Sequence, residues 1–182
     1  MKRQIEETLQ CLIGHSFWGS GRTLNLLSFQ FGPRHLRIDH RDGKPYEVGT
    51  YALHVQCAWH IAKAQRVLVA SGDRLYEPDE VNEDMNNYDG ELYAWPKAES
   101  SLLDERLLRF FLQCEKTPIF VQAIRADDLG GLTIELSYDF KLTVFPDYSD
   151  DYEYWRFFQL NADLPHFVVT SQGIEDPEDP EE

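Results

Sequence analysis

Between Tyr51 and Ile61 the chain alternates strictly. Tyr51, Leu53, Val55, Cys57, Trp59 and Ile61 are apolar, and Ala52, His54, Gln56, Ala58 and His60 between them are small or polar. A period of two puts one set on each face of an extended chain. Residues 51–61 are therefore expected to form one strand, with Cys57 in the core and both histidines turned away. On a helix His54, Cys57 and His60 would spread over one broad side. On a strand, six residues at about 3.3 Å each hold the two histidines roughly 20 Å apart. That is too far for ligands that each sit about 2.0–2.3 Å from one zinc ion. The expectation is a buried structural thiol, with neither a metal site nor a catalytic Cys/His pair.

The other periodic segments fall on both sides of this one. Residues 2–13 carry Ile5, Leu9, Leu12 and Ile13 on one helical stripe, and Gly14 is a natural stop. The stretch GHSFWGSGRT departs from a phosphate loop at Ser20, where lysine is required, and reads as a glycine-containing linker. Residues 22–31 read as a strand with a bulge where the apolar parity changes between Leu26 and Leu27, ended by Gly32-Pro33. Residues 37–49 are polar, with a turn at Asp42-Gly43. Lys63 to Gln65 links residues 51–61 to the apolar run 67–70 as a hairpin.

Residues 71–99 hold turn formers and acids without periodicity. Ser101 then opens a helix over 101–115, with Ser101 and Asp104 approximating a capping box and Leu103, Leu107, Phe110, Phe111 and Cys114 as its buried stripe. Glu105 and Arg109 form an i, i+4 pair on its outer side. Residues 117–126 read as a strand, 132–138 and 141–145 as a hairpin, 154–160 as strand or helix, and 166–171 as a last strand. Hairpins with few helices predict an α+β fold, a largely antiparallel sheet packed by one or two helices. The predicted organisation is a single domain over residues 1–174 and a disordered acidic tail over 175–182.

Charge sharpens this picture. The net charge of the 182-residue chain is −15, but residues 73–91 carry eight acids against Arg74 alone, and 175–182 carry six acids and no base. Without those two segments the chain carries only −2. Direct nucleic-acid binding, which needs a basic footprint, is not expected. No apolar run reaches the 18 or more residues of a membrane span, and the polar start MKRQIEETLQCLI is unlike a secretory signal. Three cysteines, Cys11, Cys57 and Cys114, without a CxxC pair fit a reduced, cytoplasmic protein. No motif for a cofactor, metal or nucleophile occurs, and the six histidines lack ligand spacing, so neither cofactor nor metal is expected.

A resemblance enters at the C-terminal end. The pattern L-x-I-x-F-x-D-G-x-x-L-x-V-F-P, an acidic turn and W-R-x-F is matched at Leu132, Ile134, Asp139, Leu142, Val144, Phe145, Pro146, Trp155, Arg156 and Phe158. Residues 132–174 thereby resemble the C-terminal half of small uncharacterised bacterial proteins, some of them grouped with the immunity proteins of polymorphic toxin systems. The chain departs at Asp139-Phe140, where those proteins have Asp-Gly. The resemblance implies a small intracellular neutraliser of a toxin and carries over no catalytic residue.

With the localised acidity, the expectation is a non-enzymatic binding protein for a basic protein partner such as a nuclease. Its candidate contact residues are Asp79, Glu80, Glu83, Asp84, Asp89 and Glu91, with Asp150, Asp151 and Tyr152 from the acid–aromatic stretch 147–156. The rival expectations are an enzyme with a carboxylate/His site and a module whose acids serve only solubility.

Overall fold

The structure, a computed structural model, describes residues 1–23, 26–40, 43–78, 101–160, 162 and 164–175. Two α-helices, α1 (Lys2–Leu9) and α2 (Leu102–Lys116), stand among eleven strands of the described residues. The strands are β1 (Ser16–Thr23), β2 (Leu26–Ile38), β3 (Pro45–Val55), β4 (Ala58–Lys63), β5 (Arg66–Ala70), β6 (Ile119–Ala126), β7 (Leu132–Leu136), β8 (Phe140–Phe145), β9 (Glu153–Gln159), β10 (Phe167–Thr170) and β11 (Gly173–Ile174). They lie in the order β11-β10-β9-β3-β2-β1-β6-β7-β8-β4-β5, and the paired neighbours run antiparallel. The α+β class expected from the hairpins is the one observed.

Chain connectivity bends this sheet. β3 is fourth in the order and β4 tenth, yet only Gln56 and Cys57 separate them. Six steps at about 4.8 Å would put the two strands roughly 29 Å apart in a flat sheet. Three Cα–Cα steps from Val55 to Ala58 reach only about 11 Å. The sheet therefore curls back on itself, and β3–β4 is a corner at which one extended chain passes from one half to the other. The corner is pinned: the Tyr154 carbonyl accepts from the Gln56 and Cys57 amides at 2.9 and 3.2 Å, and Asp147 Oδ1 accepts from the Ala58 amide at 3.0 Å.

The concave side holds one hydrophobic core. Phe17, Phe29, Leu53, Trp155, Ile61, Ile134 and Leu142 come from both halves of the sheet and are fully buried or nearly so. α2 covers them: Phe111 meets Phe17 edge-on at 5.3 Å, and Phe110 meets Phe140 at 5.6 Å. The capping box forms as expected, with Asp104 Oδ2 accepting from the Ser101 amide at 2.8 Å. α1 buries Ile5 and Leu9 against the same core, and a 3₁₀ turn (Gln10–Leu12) completes its stripe with Leu12.

Several expectations are corrected. Residues 51–61 form two strands rather than one; the two-residue corner preserves the parity, so Cys57, Trp59 and Ile61 still point inward, 5%, 3% and 0% exposed. The expected glycine-containing linker is mostly β1, and the expected strand 22–31 is the end of β1 and the first half of β2. Gly32-Pro33 does not end β2. The strand crosses the pair by a bulge between Phe31 and Arg34, the setting in which a sheet tolerates proline, and Trp18 Nε1 donates to the Gly32 carbonyl at 2.8 Å. Residues 37–49 lie mainly in the arms of the β2–β3 hairpin. Residues 154–160 are resolved as strand β9. Tyr138 and Asp139 take positive φ at the β7–β8 turn, 60° and 62°, while Phe140, where the resembling proteins have glycine, is extended with φ −79°. Glu105 does pair with Arg109, at 2.7 Å, but from a buried position rather than the outer side. The segment 71–99 opens in order: residues Ser71–Leu75 form a 3₁₀ turn with Asp73 buried and ion-paired to Arg106 at 3.0 Å.

The thiols follow the fold. Cys57 and Cys114 are buried and Cys11 is exposed. Burial pushes both Cys57 and Cys114 up to about 12, with the neighbouring carboxylates of Asp147 and Glu115 adding to it. A thiol reagent at pH 8 is expected to modify one cysteine in the native protein and all three in denaturant, because the thiolate is the reactive form. Rapid native modification of Cys57 would contradict the corner.

Candidate partner-binding surface

The stretch 147–156 divides into an anchored half and an exposed half. Pro146 follows β8, and Asp147, itself exposed, accepts from the Ala58 amide at the corner. Tyr148 donates to the Glu153 carbonyl at 2.7 Å, and Tyr154 donates to the Tyr148 carbonyl at 2.8 Å, their rings edge to face at 5.1 Å. Burial first, and then the nearby Cys57, Asp147 and other groups, push the Tyr148 phenol up to about 12. Tyr154, Trp155 and Phe157 are core, and Trp155 Nε1 donates to the Gly130 carbonyl at 2.8 Å.

Ser149, Asp150, Asp151 and Tyr152 form an exposed tip, with Tyr152 69% accessible. This tip is braced: Asp151 Oδ1 accepts from Gln172 Nε2 at 2.8 Å, across the turn joining β10 and β11. Of the expected contact set, the described members are Asp150, Asp151 and Tyr152, which are consecutive in the chain and exposed. Asp79, Glu80, Glu83, Asp84, Asp89 and Glu91 lie outside the described residues, as do residues 176–182 of the expected tail.

The convex face beside this tip carries a cluster that the sequence did not announce. Register puts Ser28, His54, Arg156 and Val168 in one row across β2, β3, β9 and β10. Phe158 stands in the next row opposite Ala52. The His54 ring meets Phe158 edge-on at 4.7 Å, and His166 stacks on Phe158 at 4.2 Å with 15° between planes. Glu153 receives both Nε and Nη2 of Arg156, and Arg156 Nη1 lies 3.5 Å from His166 Nδ1. Burial, reinforced by the Arg156 charge, lowers His54 to about 4, so it is a neutral ring at neutral pH. Parity alone had turned His54 outward. The cluster's other members come from strands about a hundred residues away, and no local signal names them.

A groove of about 780 Å³ runs between α1 and β10–β11, with Met1, Thr8, Leu164, Ile174, His166 and Glu175 among its walls. Among the described residues no group of three or more His, Cys, Asp or Glu side chains is placed to hold a metal ion, and no helix is long and apolar enough to cross a membrane. His54 and His60 stand in different halves of the sheet, with Cys57 inside the corner between them. Comparison with protein-family models, with curated proteins and with solved structures returns no match for the chain.

Proposed function

We propose that this is a non-enzymatic binding protein that occludes a basic protein partner with its acidic surface, in the manner of an immunity protein acting on a toxin or nuclease. The observation that carries the reading is the charge distribution: −13 of the −15 resides in residues 73–91 and 175–182. Clustered acids repel one another and lower stability slightly. A cluster of this size attracts a basic cleft over several ångströms and raises the association rate. The braced tip supports the same reading. Tyr152 projects 69% exposed beside Asp151, and an exposed aromatic of this kind is a common interface anchor.

Reversing Asp79, Glu80, Glu83 and Asp84 to lysine is expected to slow association with the basic protein captured by the immobilised chain roughly tenfold or more at low salt. The gap should narrow above about 0.15 M salt. Tyr152→Ala is expected to raise the dissociation rate instead, since an aromatic anchor acts on the bound state. Stopped-flow rates across a salt series measure both. Equal association rates at low salt would remove the electrostatic mechanism.

A further inference from the structure

We propose that the outer edge of β2 from Arg34 to Ile38 is a self-association site, at which a second copy of the chain adds the same residues antiparallel to form a two-fold dimer. β2 and β3 outrun their neighbours. β1 covers β2 only as far as Phe31, and β9 covers β3 only over residues 51–55, so among the described strands residues 34–38 and 45–49 pair only with each other. The ladder of such a ribbon alternates between pairs that bond inward and pairs whose amides and carbonyls point out. The Asp39 amide donates to the Lys44 carbonyl at 2.8 Å. By alternation, the pairs Ile38 with Pro45, Leu36 with Glu47 and Arg34 with Gly49 turn their main-chain groups outward. The β3 edge is blunted there: Pro45 has no amide hydrogen, and the Gly49 amide donates to Gln30 Oε1 at 2.8 Å. The β2 edge is not. Leu36 and Ile38 are 74% and 57% exposed, and among the described residues nothing bonds to their outward amides and carbonyls.

This edge is complementary to itself. An antiparallel copy centred on Leu36 sets the two Leu36 residues opposite each other and Arg34 of each copy opposite Ile38 of the other. All of these are outward-pointing residues, so each opposed pair exchanges two main-chain hydrogen bonds, about six in all. The two-fold axis stands perpendicular to the sheet, and Leu36 and Ile38 of both copies gather on one face. Arg34 meets isoleucine and Arg37 meets His35, so no arginine is set against arginine. Charge favours this approach over others. The whole chain carries −15, whereas residues 33–40 and 43–49 carry Arg34, Arg37 and Lys44 against Asp39 and Glu47, so two copies repel least arm to arm. The ladder is short, about 17 Å, and such a strip buries less than the roughly 800 Å² per partner of a standard interface. The dimer is therefore weak, with a Kd on the order of 100 μM. It does not depend on what the acidic surface binds.

Two measurements on the full chain test this. Sedimentation velocity should show monomer passing to dimer between about 10 μM and about 1 mM, more readily as salt screens the net charge. Leu36→Pro should leave a monomer: the Leu36 amide points away from β3, so proline removes a bond between copies and none within the hairpin. Leu36→Lys keeps the backbone donor and serves if Leu36→Pro loosens the arm; with two charges at the axis it should weaken the dimer roughly tenfold. In a Cys11→Ser background, Leu36→Cys should form a disulfide-linked dimer in oxidised glutathione at least roughly tenfold faster than Ile38→Cys. Leu36 lies opposite itself at a Cα separation of about 5.5 Å, whereas the two Ile38 residues lie about 15 Å apart, beyond disulfide reach. A monomer at every concentration would leave the edge to a different protein and overturn the proposal. So would a dimer that both Leu36 variants leave intact, or equal linkage through positions 36 and 38.

Discussion

Gly49→Ala should be among the most destabilising single substitutions available in this protein. A Cβ at position 49 would lie 2.5 Å from the Phe31 carbonyl oxygen and 2.8 Å from the Phe31 nitrogen. Both are backbone atoms of the neighbouring strand, so no rotamer change relieves the clash. Gly49 stands beside the bulge by which β2 crosses Gly32-Pro33, and its amide donates to Gln30 Oε1 at 2.8 Å. Making room opens the β2–β3 ladder at the point that sets the hairpin register. Overpacking costs about 1–3 kcal/mol, and a clash with backbone atoms on both sides falls at the upper end, about 3 kcal/mol. For a chain of this size that is a fall in Tm of roughly 6–12 °C. Gly21→Ala is the control: a Cβ there meets nothing within 4 Å, and a change within about 0.5 kcal/mol is expected at such an open site. Urea unfolding of both variants checks the pair, and equal midpoints would show that the close approach at Gly49 does not constrain the fold.

Acid is the second large effect. The unfolded chain protonates His54 near 6.5, while the folded chain holds it to about 4. The unfolded state thus binds the extra proton between those values. The contribution is fully present above about pH 6.5 and is lost as pH falls toward 4, amounting to about 2 kcal/mol between pH 7 and pH 5. His60 and His166 are lowered by burial as well and act in the same direction. Urea midpoints measured from pH 7.5 to 5 should fall for the wild type and fall less for His54→Gln. Parallel curves would remove His54 from the account of acid sensitivity.

Local signals carried the elements well and their arrangement poorly. The stripe of α2 and its Ser101–Asp104 cap could be read directly, because capping and a 3.6-residue period are properties of neighbouring residues. The apolar alternation of 51–61 likewise gave the burial of Cys57, Trp59 and Ile61. It could not give the bend at Gln56–Cys57, since a two-residue corner leaves parity intact. β1 was missed because its glycines, Gly19 and Gly21, look like a loop until a neighbouring strand pairs with them. The surface divides in the same way. The exposed tip Asp150–Asp151–Tyr152 could be read from composition, whereas the stack of His54, Phe158 and His166 exists only through long-range register.

The corner at Gln56–Cys57 also orders events in time. His54 pairs with Arg156 and His60 with Thr143, so both sides of the corner await partners synthesised about eighty to a hundred residues later. At roughly 5–20 residues per second, a ribosome takes about 4–20 seconds to supply them. For that interval β3 and β4 each present an unpaired edge and an apolar face, the features that join nascent chains to one another. The next part of the chain to emerge after β5 is the acidic segment 73–91. On neighbouring ribosomes its like charges repel, and they do so during the seconds in which the open edges would otherwise find one another.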